Sequence, residues 1–305
     1  MQRLANWQLF AVCVLTWATT WYAVTFEVAS LAPEYGVALR FGLAGALVLA
    51  ASAMRGEHIG CSLRDHALLA LQGTFLYGVA YVGVYHAERH IASGLVAVGY
   101  SASPLVTGLG ARLAFAVRLP RTFVPGGLLG LAGVALIFWP EFAPARRGPN
   151  VELGAAFTVG SVLLSAIGSV AASRNRVRGI AFWPALGWGM VYGALAAAAV
   201  GAARGAPFEM PTAAAWWLAF AYLVLAGSIL TFACFLTLQD RIGPGPTGTI
   251  GVMTPLIALL VSMAFEGFRA ELMTLLGVVL AVLGNALMLR PSAAPARPVL
   301  ASAAD

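Results

Sequence analysis

Residues 7–26 read WQLFAVCVLTWATTWYAVTF, a stretch of twenty residues without a single charged side chain. About 20 apolar residues in an α-helix are enough to cross the hydrocarbon core of a bilayer. The stretch is longer than the apolar region of a signal peptide, and no clean small-x-small cleavage site follows it. It therefore predicts a helix that stays in the membrane.

Nine more apolar runs of similar length follow this first one. The whole set predicts an all-α integral membrane protein with ten transmembrane helices. The ten runs cover about 7–26, 33–54, 66–87, 92–115, 122–140, 152–173, 180–203, 214–237, 246–266 and 272–290.

Composition excludes several classes of protein. The chain is 60% hydrophobic and 10% charged, whereas a soluble domain has about 25% charged residues. We therefore exclude a soluble enzyme, a disordered chain and a collagen-like fibre. With 305 residues and ten helices, no loop is long enough to hold a domain, so the function is expected within the helix bundle, surrounded by the lipid bilayer.

Charge and cysteine content exclude further partners. The net charge of +6 comes from eighteen arginines without any lysine, and these are dispersed between apolar runs rather than gathered in a basic stripe. No nucleic-acid partner is expected. The three cysteines, Cys13, Cys61 and Cys234, form no CxxC motif. We expect no disulfide, no metal and no cofactor.

The chain repeats itself at an offset of 151 residues. Seven glycines or prolines coincide after this shift, against about two expected from composition, and self-similarity at a fixed offset is the signature of a repeat. The pairs are Pro33 and Pro184, Gly36 and Gly187, Gly42 and Gly193, Gly94 and Gly245, Pro104 and Pro255, Gly126 and Gly277, and Gly133 and Gly284.

Each repeat contains five spans, an odd number, so the second copy must cross the membrane in the opposite sense. Inverted repeats with a central site are the common plan of secondary transporters. We predict a first five-helix repeat at 1–145, a second, inverted repeat at 146–291, and a disordered cytoplasmic tail at 292–305.

Arginine placement predicts the orientation, because cytoplasmic loops are enriched in basic residues. With a cytoplasmic N-terminus, twelve arginines lie inside and six outside, so both termini are expected in the cytoplasm. The inside set is Arg3, Arg55, Arg64, Arg112, Arg118, Arg121, Arg174, Arg176, Arg178, Arg241, Arg290 and Arg297. The outside set is Arg40, Arg89, Arg146, Arg147, Arg204 and Arg269.

The order of several motifs resembles a known family. The run from Leu15 to Tyr22 reads LTWATTWY, followed by Pro33, by LRFG at 39–42, and later by Pro255-Leu256 and Glu266-Gly267. Over about residues 8–290 the chain resembles the EamA-type branch of the drug/metabolite transporter superfamily. The resemblance implies ten helices in a 5+5 inverted repeat, cytoplasmic termini and export of metabolites by alternating access. The likeness is greatest to a bacterial exporter of aromatic amino acids.

Two features depart from the family pattern. Glu266 closes the ninth span, but its repeat mate is Phe115. Thr25 and Phe26 occupy the end of the first span, where the family often has a basic residue.

Aromatic residues at mid-depth are the main substrate-binding candidates. Tyr77, Tyr81 and Tyr85 share one helix face at i, i+4 and i+8, and a hydroxyl within the membrane needs a partner or water. Trp17 and Trp21 lie in the first span, away from the interface that tryptophan prefers. These rings are predicted to line a cavity; ordinary helix packing is the alternative.

Prolines within spans are the hinge candidates. Pro104 and Pro255 lack the N–H that would bond the carbonyls of Tyr100 and Gly251. We predict hinges at Pro104, Pro255 and Gly251, with the Tyr100 carbonyl free to contact substrate. A kink satisfied by a neighbouring hydroxyl is the alternative.

Three further candidates are weaker. Ser165 and Ser169 belong to an i+4 serine stripe in the sixth span, which either lines a polar path or lets helices pack closely. His86 lies farther into a span than the other histidines and could couple to protons, or it is an interfacial histidine bonded to a tyrosine or a carbonyl.

Absences complete the prediction. Glu27, Glu88 and Glu266 are near span ends, and Arg40 and Arg112 are expected near an interface, so mid-depth is predicted to be uncharged. No HExxH or GxSxG motif is present, so we do not expect an enzyme, and no charged filter indicates a channel. The chain is predicted to be a monomeric secondary transporter in a bacterial inner membrane that exports amino acids. A carrier for amphipathic cations is the alternative, and proton coupling is left open.

Overall fold

The protein is all-α over the residues that the computed structural model describes, which are 4–116, 118–142, 150–242, 247 and 249–288. The predicted tail at 292–305, Gly245 and the boundary between the proposed halves at 145 and 146 lie outside these residues.

Ten apolar helices, numbered α1 to α10, account for the ten predicted spans. Eight are long and apolar enough to cross a membrane, and α9 and α10 are shorter, with 16 and 17 residues. The helices are α1 Asn6–Val28, α2 Pro33–Met54, α3 Leu63–Glu88, α4 Ser93–Phe115, α5 Phe123–Phe142, α6 Val151–Val177, α7 Phe182–Ala203, α8 from Ala214 to Ile242, α9 Ile250–Phe265 and α10 Leu272–Met288.

Helices are the natural solution for these runs because a helix satisfies its own backbone hydrogen bonds in lipid. A proline lies at the N-terminus of two helices that are equivalent in the repeat. Pro33 is the first residue of α2, and Pro184 lies in the first turn of α7. A proline costs no hydrogen bond there, since first-turn N–H groups have no partner within the helix.

Glycines bring α5 and α10 into backbone contact. A Cβ added at Gly126 would lie 2.7 Å from the carbonyl oxygen of Gly284, and one at Gly133 would lie 2.5 Å from that of Gly277. The later glycine of α5 thus meets the earlier glycine of α10, so the two helices are antiparallel. The 151-residue shift converts one contact into the other, as a two-fold axis relating inverted halves requires.

The pair α2 and α7 makes the same kind of crossing. A Cβ at Gly45 would lie 2.8 Å from the carbonyl oxygen of Gly187, while Gly42 faces Ala194 farther along α7. These two close crossings join the halves of the bundle.

Departures from regular α-helix also occur in pairs. A π-helical stretch interrupts α3 at Thr74–Val79 and α8 at Leu223–Leu230, which are equivalent positions in the repeat. Such π-stretches are frequent at functional sites. The hydrophobic pattern alone does not predict them, because it follows helix faces and not hydrogen-bond register.

The two helices that carry the predicted hinges differ from each other. Helix α4 breaks between Tyr100 and Ser103, directly before Pro104, whereas α9 continues through Pro255. The break divides α4 into Ser93–Tyr100 and Ser103–Phe115.

The α5–α10 crossing is testable by adding one methyl group. Gly133→Ala places a Cβ against backbone atoms of α10, and such overpacking costs about 1–3 kcal/mol. We expect a melting temperature several degrees lower in detergent, measured by tryptophan fluorescence. Gly160→Ala is the matched control, because a Cβ added there meets no atom within 4 Å beyond the local backbone of its own helix. Equal melting temperatures for the two variants contradict the backbone contact.

Candidate functional site

A cavity of about 240 Å³ lies between α1, α2, α3, α4 and α9. Its volume is below the roughly 300–1,000 Å³ of pockets for drug-sized ligands. Aromatic, small and hydroxyl-bearing side chains line it, together with one arginine. The lining residues are Trp17, Thr20, Trp21, Val24, Arg40, Tyr81, Val84, Ala97, Tyr100, Ser103, Gly251, Thr254 and Pro255.

The aromatic wall is held by contacts between rings. Trp17 packs edge-on against Phe232 with ring centroids 5.4 Å apart. Trp21 lies 5.3 Å from the ring of Tyr100, and the Tyr100 hydroxyl is 3.0 Å from Oγ of Ser165. The rings are therefore fixed from behind and present a rigid surface to the cavity.

Arg40 is the one charged side chain in this lining, and it is buried between helices. The residue is 3% exposed. Its Nε donates to Oγ of Ser228 at 3.2 Å, and Nη1 donates to the hydroxyl of Tyr85 at 3.3 Å. Its guanidinium carbon also lies 5.0 Å from the ring centre of Phe41 and 5.3 Å from that of Tyr81. These partners explain how a cation persists in a buried position.

Behind Arg40 lies a buried carboxyl that sequence reasoning did not select. Glu27 is 1% exposed, and its Oε2 accepts from the Tyr85 hydroxyl at 2.6 Å. Tyr85 is fully buried and connects Glu27 to Arg40. Tyr85 therefore hydrogen-bonds the cation and the carboxyl and does not line the cavity.

A second cavity of about 520 Å³ adjoins the first, and the two share Trp17 and Tyr81 as walls. Tyr77 and Ser169 line this larger cavity. It extends to Ser173 and Arg176, both exposed near the end of α6. The central cavity is thus separated by two aromatic side chains from a wider space toward one end of the bundle.

The opposite end is closed by polar contacts between the halves. His86 lies 2.9 Å from Oε1 of Glu34, which also accepts from Nη1 of Arg204 at 2.8 Å. The imidazole of His86 stacks on Phe157 at 5.0 Å. His86 therefore belongs to this closure and not to the cavity wall.

A carboxyl and two serines join α4 to α9 at the same end. Glu266 accepts from the N–H of Ser93 at 3.2 Å and from its hydroxyl at 2.6 Å, and it also accepts from the Ser262 hydroxyl. Ser262 in turn accepts from the N–H of Gly94 at 2.8 Å. Glu266 thus joins the start of α4 to the end of α9.

The predicted site residues therefore fall into three groups. Central cavity residues are Trp17, Trp21, Tyr81, Tyr100, Gly251 and Pro255. Larger cavity residues are Tyr77 and Ser169, together with the shared Trp17 and Tyr81. Tyr85, His86, Ser165 and Pro104 lie outside both linings.

The sequence does not predict that three charged residues are buried, namely Arg40, Glu27 and Glu88. Residues close to the end of a membrane helix are expected to face water. Each lies within eight residues of a helix end, yet each is at most 8% exposed. The signal in the sequence for this buried charged cluster is Tyr85, one helical turn before Glu88, since a buried hydroxyl requires a polar partner.

The cavity is testable by cysteine labelling. Cys13 and Cys234 are buried, so replacing Cys61 by serine removes the accessible native thiol. In that background we expect Ser103→Cys, in the cavity lining, to react with a small water-soluble thiosulfonate. Ser161→Cys is the control because Ser161 is 1% exposed and outside the lining. Equal labelling of the two cysteines, measured by mass spectrometry, contradicts a solvated cavity.

Comparison with known proteins agrees with this architecture. The EamA-like transporter family matches residues 6–139 and 152–290. The uncharacterized inner membrane transporter YedA of Escherichia coli (strain K12) is 28% identical over 311 residues, covering 96% of this chain and 93% of the relative. An uncharacterized transporter of Archaeoglobus fulgidus is 27% identical over 145 residues, covering 46% of this chain and 50% of the relative.

A solved crystal structure has the same fold, with a TM-score of 0.67 at 19% identity, covering 93% of this chain and 96% of that chain. The family matches together span most of the sequence in two copies. The chain therefore belongs to the EamA-like transporter family and is a membrane transporter.

Proposed function

We propose that this transporter exports neutral amino acids, aromatic ones included, by alternating access through the central cavity. The observation that carries the proposal is Arg40, a buried cation at the wall of an aromatic cavity whose lining contains no carboxylate. A guanidinium binds a carboxylate through charge-assisted hydrogen bonds. The substrate is therefore a small solute that combines a carboxylate with an apolar or aromatic group.

An amino acid fits the remaining chemistry of the wall. Its carboxylate binds Arg40, while its ammonium faces the carbonyls of Tyr100 and Gly251, which lack the N–H donor that a residue other than proline would supply. Its side chain lies against the rings of Trp17 and Tyr81. Ring stacking of this kind contributes about 0.5–1.5 kcal/mol.

The asymmetry of the two ends supports alternating access. In the proposed orientation both termini are cytoplasmic, so the larger cavity leads toward the cytoplasm, and the contacts of Glu34 and Glu266 close the external end. Substrate enters past Trp17 and Tyr81. The halves then rock about the break before Pro104 and about Pro255, the external contacts separate, and the substrate leaves. We propose that one chain suffices, as a monomer.

The alternative cargo, an amphipathic cation, is disfavoured by the same arginine. A cation in this cavity lies beside the guanidinium of Arg40, and the lining offers no carboxylate to bind it. The two proposals therefore predict opposite effects when this charge is removed.

The first test pairs tryptophan with tryptamine, which lacks the carboxylate. We expect Arg40→Gln to weaken tryptophan binding about 10- to 100-fold, because a hydrogen bond to a charged group contributes about 1.5–3 kcal/mol. Tryptamine binds the wild type weakly and gains affinity in the variant. Isothermal titration in detergent measures both, and the exposed Arg178→Gln is the control. Tight tryptamine binding that disappears in Arg40→Gln, or tryptophan binding unaffected by it, contradicts the proposal.

The second test concerns the aromatic wall. We expect Trp17→Ala and Tyr81→Ala each to lower the affinity for aromatic amino acids about 2- to 12-fold, because each variant loses a stacking surface. Flux from proteoliposomes and titration of the purified variants measure the effect. Trp7→Ala, at an exposed position near the start of α1, is the control. Wild-type flux and affinity in both cavity variants rule out contact of these rings with substrate.

A further inference from the structure

Two buried carboxyls share one cation beside the central cavity. Glu27 is bonded through Tyr85 to Arg40, and its Oε1 has no hydrogen-bond partner. Glu88, one helical turn after Tyr85, is 8% exposed, and neither of its oxygens has a partner. Glu88 interacts electrostatically first with Glu266 and then with Arg40 and Glu27.

The other charged groups around the pair are already engaged. Glu266 accepts from two serines, as described above. Arg89 donates to the carbonyls of Val28 and Leu31 at 3.2 and 3.1 Å, while His86 and Arg204 face Glu34. Tyr81 and Tyr85 present neutral phenols. Among the described residues, Arg40 is thus the cation shared by Glu27 and Glu88.

Two ionised carboxylates beside a single guanidinium leave one negative charge uncompensated in a buried site. A buried charge of this kind is costly, and binding a proton removes it. The orphaned oxygens of Glu27 and Glu88 are the available acceptors. Arg40 also lines the cavity, so the pair lies one side chain away from the cavity wall.

We propose that Glu27 and Glu88, held around Arg40, form a proton-binding site that is linked to the substrate site. In the empty transporter the pair holds one proton, and the remaining carboxylate balances Arg40. This inference rests on the proposed function in one respect: a substrate carboxylate at Arg40 places a second negative charge beside the pair, while the substrate ammonium lies at the carbonyls of Tyr100 and Gly251. The pair then takes up a further proton, and by linkage substrate and proton bind cooperatively.

The proton site is tested first without substrate. Infrared difference spectra of the protein in nanodiscs, recorded between high and low pH, report protonated carboxyl groups through their C=O stretch. We expect a titrating band in the wild type that is lost in both Glu27→Gln and Glu88→Gln, because either change leaves one carboxylate to balance Arg40. Glu209→Gln, an exposed loop position, keeps the band. Absence of the band from the wild type, or its retention in either variant, overturns the shared site.

The link to substrate is tested by proton uptake. Adding tryptophan to weakly buffered protein with a pH indicator should bind about one proton per bound tryptophan in the wild type and none in the double variant Glu27→Gln/Glu88→Gln, which has no carboxylate left in the pair to take it up. Tryptophan binding without proton uptake by the wild type overturns the linkage and leaves the proposed function standing. Failure of tryptophan to bind overturns the proposed function, while the infrared result still decides the proton site.

Discussion

A guanidinium buried between membrane helices is stable only when polar and aromatic side chains surround it, and the arrangement around Arg40 follows from that constraint. Its neighbours come from four helices: Tyr81 and Tyr85 on α3, Phe41 on its own helix, Ser228 on α8 and, through Tyr85, Glu27 on α1. The same side chain borders the central cavity. One charge therefore organises both the packing of the first half and the polarity of the site.

The crossings that hold the two halves together leave this site free to change. The helix pairs α5–α10 and α2–α7 meet backbone to backbone through glycine, and apolar side chains such as Leu49 and Ile137 pack beside these contacts. The broken helix α4 and the proline-bearing helix α9 instead border the cavity, with Tyr100 and Pro255 in its wall. In the proposed rocking motion, the close helix pairs α5–α10 and α2–α7 stay in contact, and the interrupted helices at the cavity, α4 and α9, change shape.

Sequence reasoning predicted the helices and their repeat because lipid imposes a simple rule: long apolar runs become helices. It also selected Trp17, Trp21, Tyr81 and Tyr100, which the structure brings into one cavity. It did not find Arg40, Glu27 or Glu88, since their burial depends on contacts between helices distant in sequence. Tyr85 was selected for the right reason, a buried hydroxyl in need of a partner, but its partners are charged residues and not the cavity.

The central claim is that Arg40 anchors a substrate carboxylate. A cryo-electron microscopy structure with tryptophan bound tests it most directly. The account predicts density in the central cavity, with the carboxylate within hydrogen-bond distance of the Arg40 guanidinium and the indole beside Trp17 and Tyr81. Tryptophan bound with its ammonium toward Arg40, or seated outside the central cavity without touching this arginine, would contradict it.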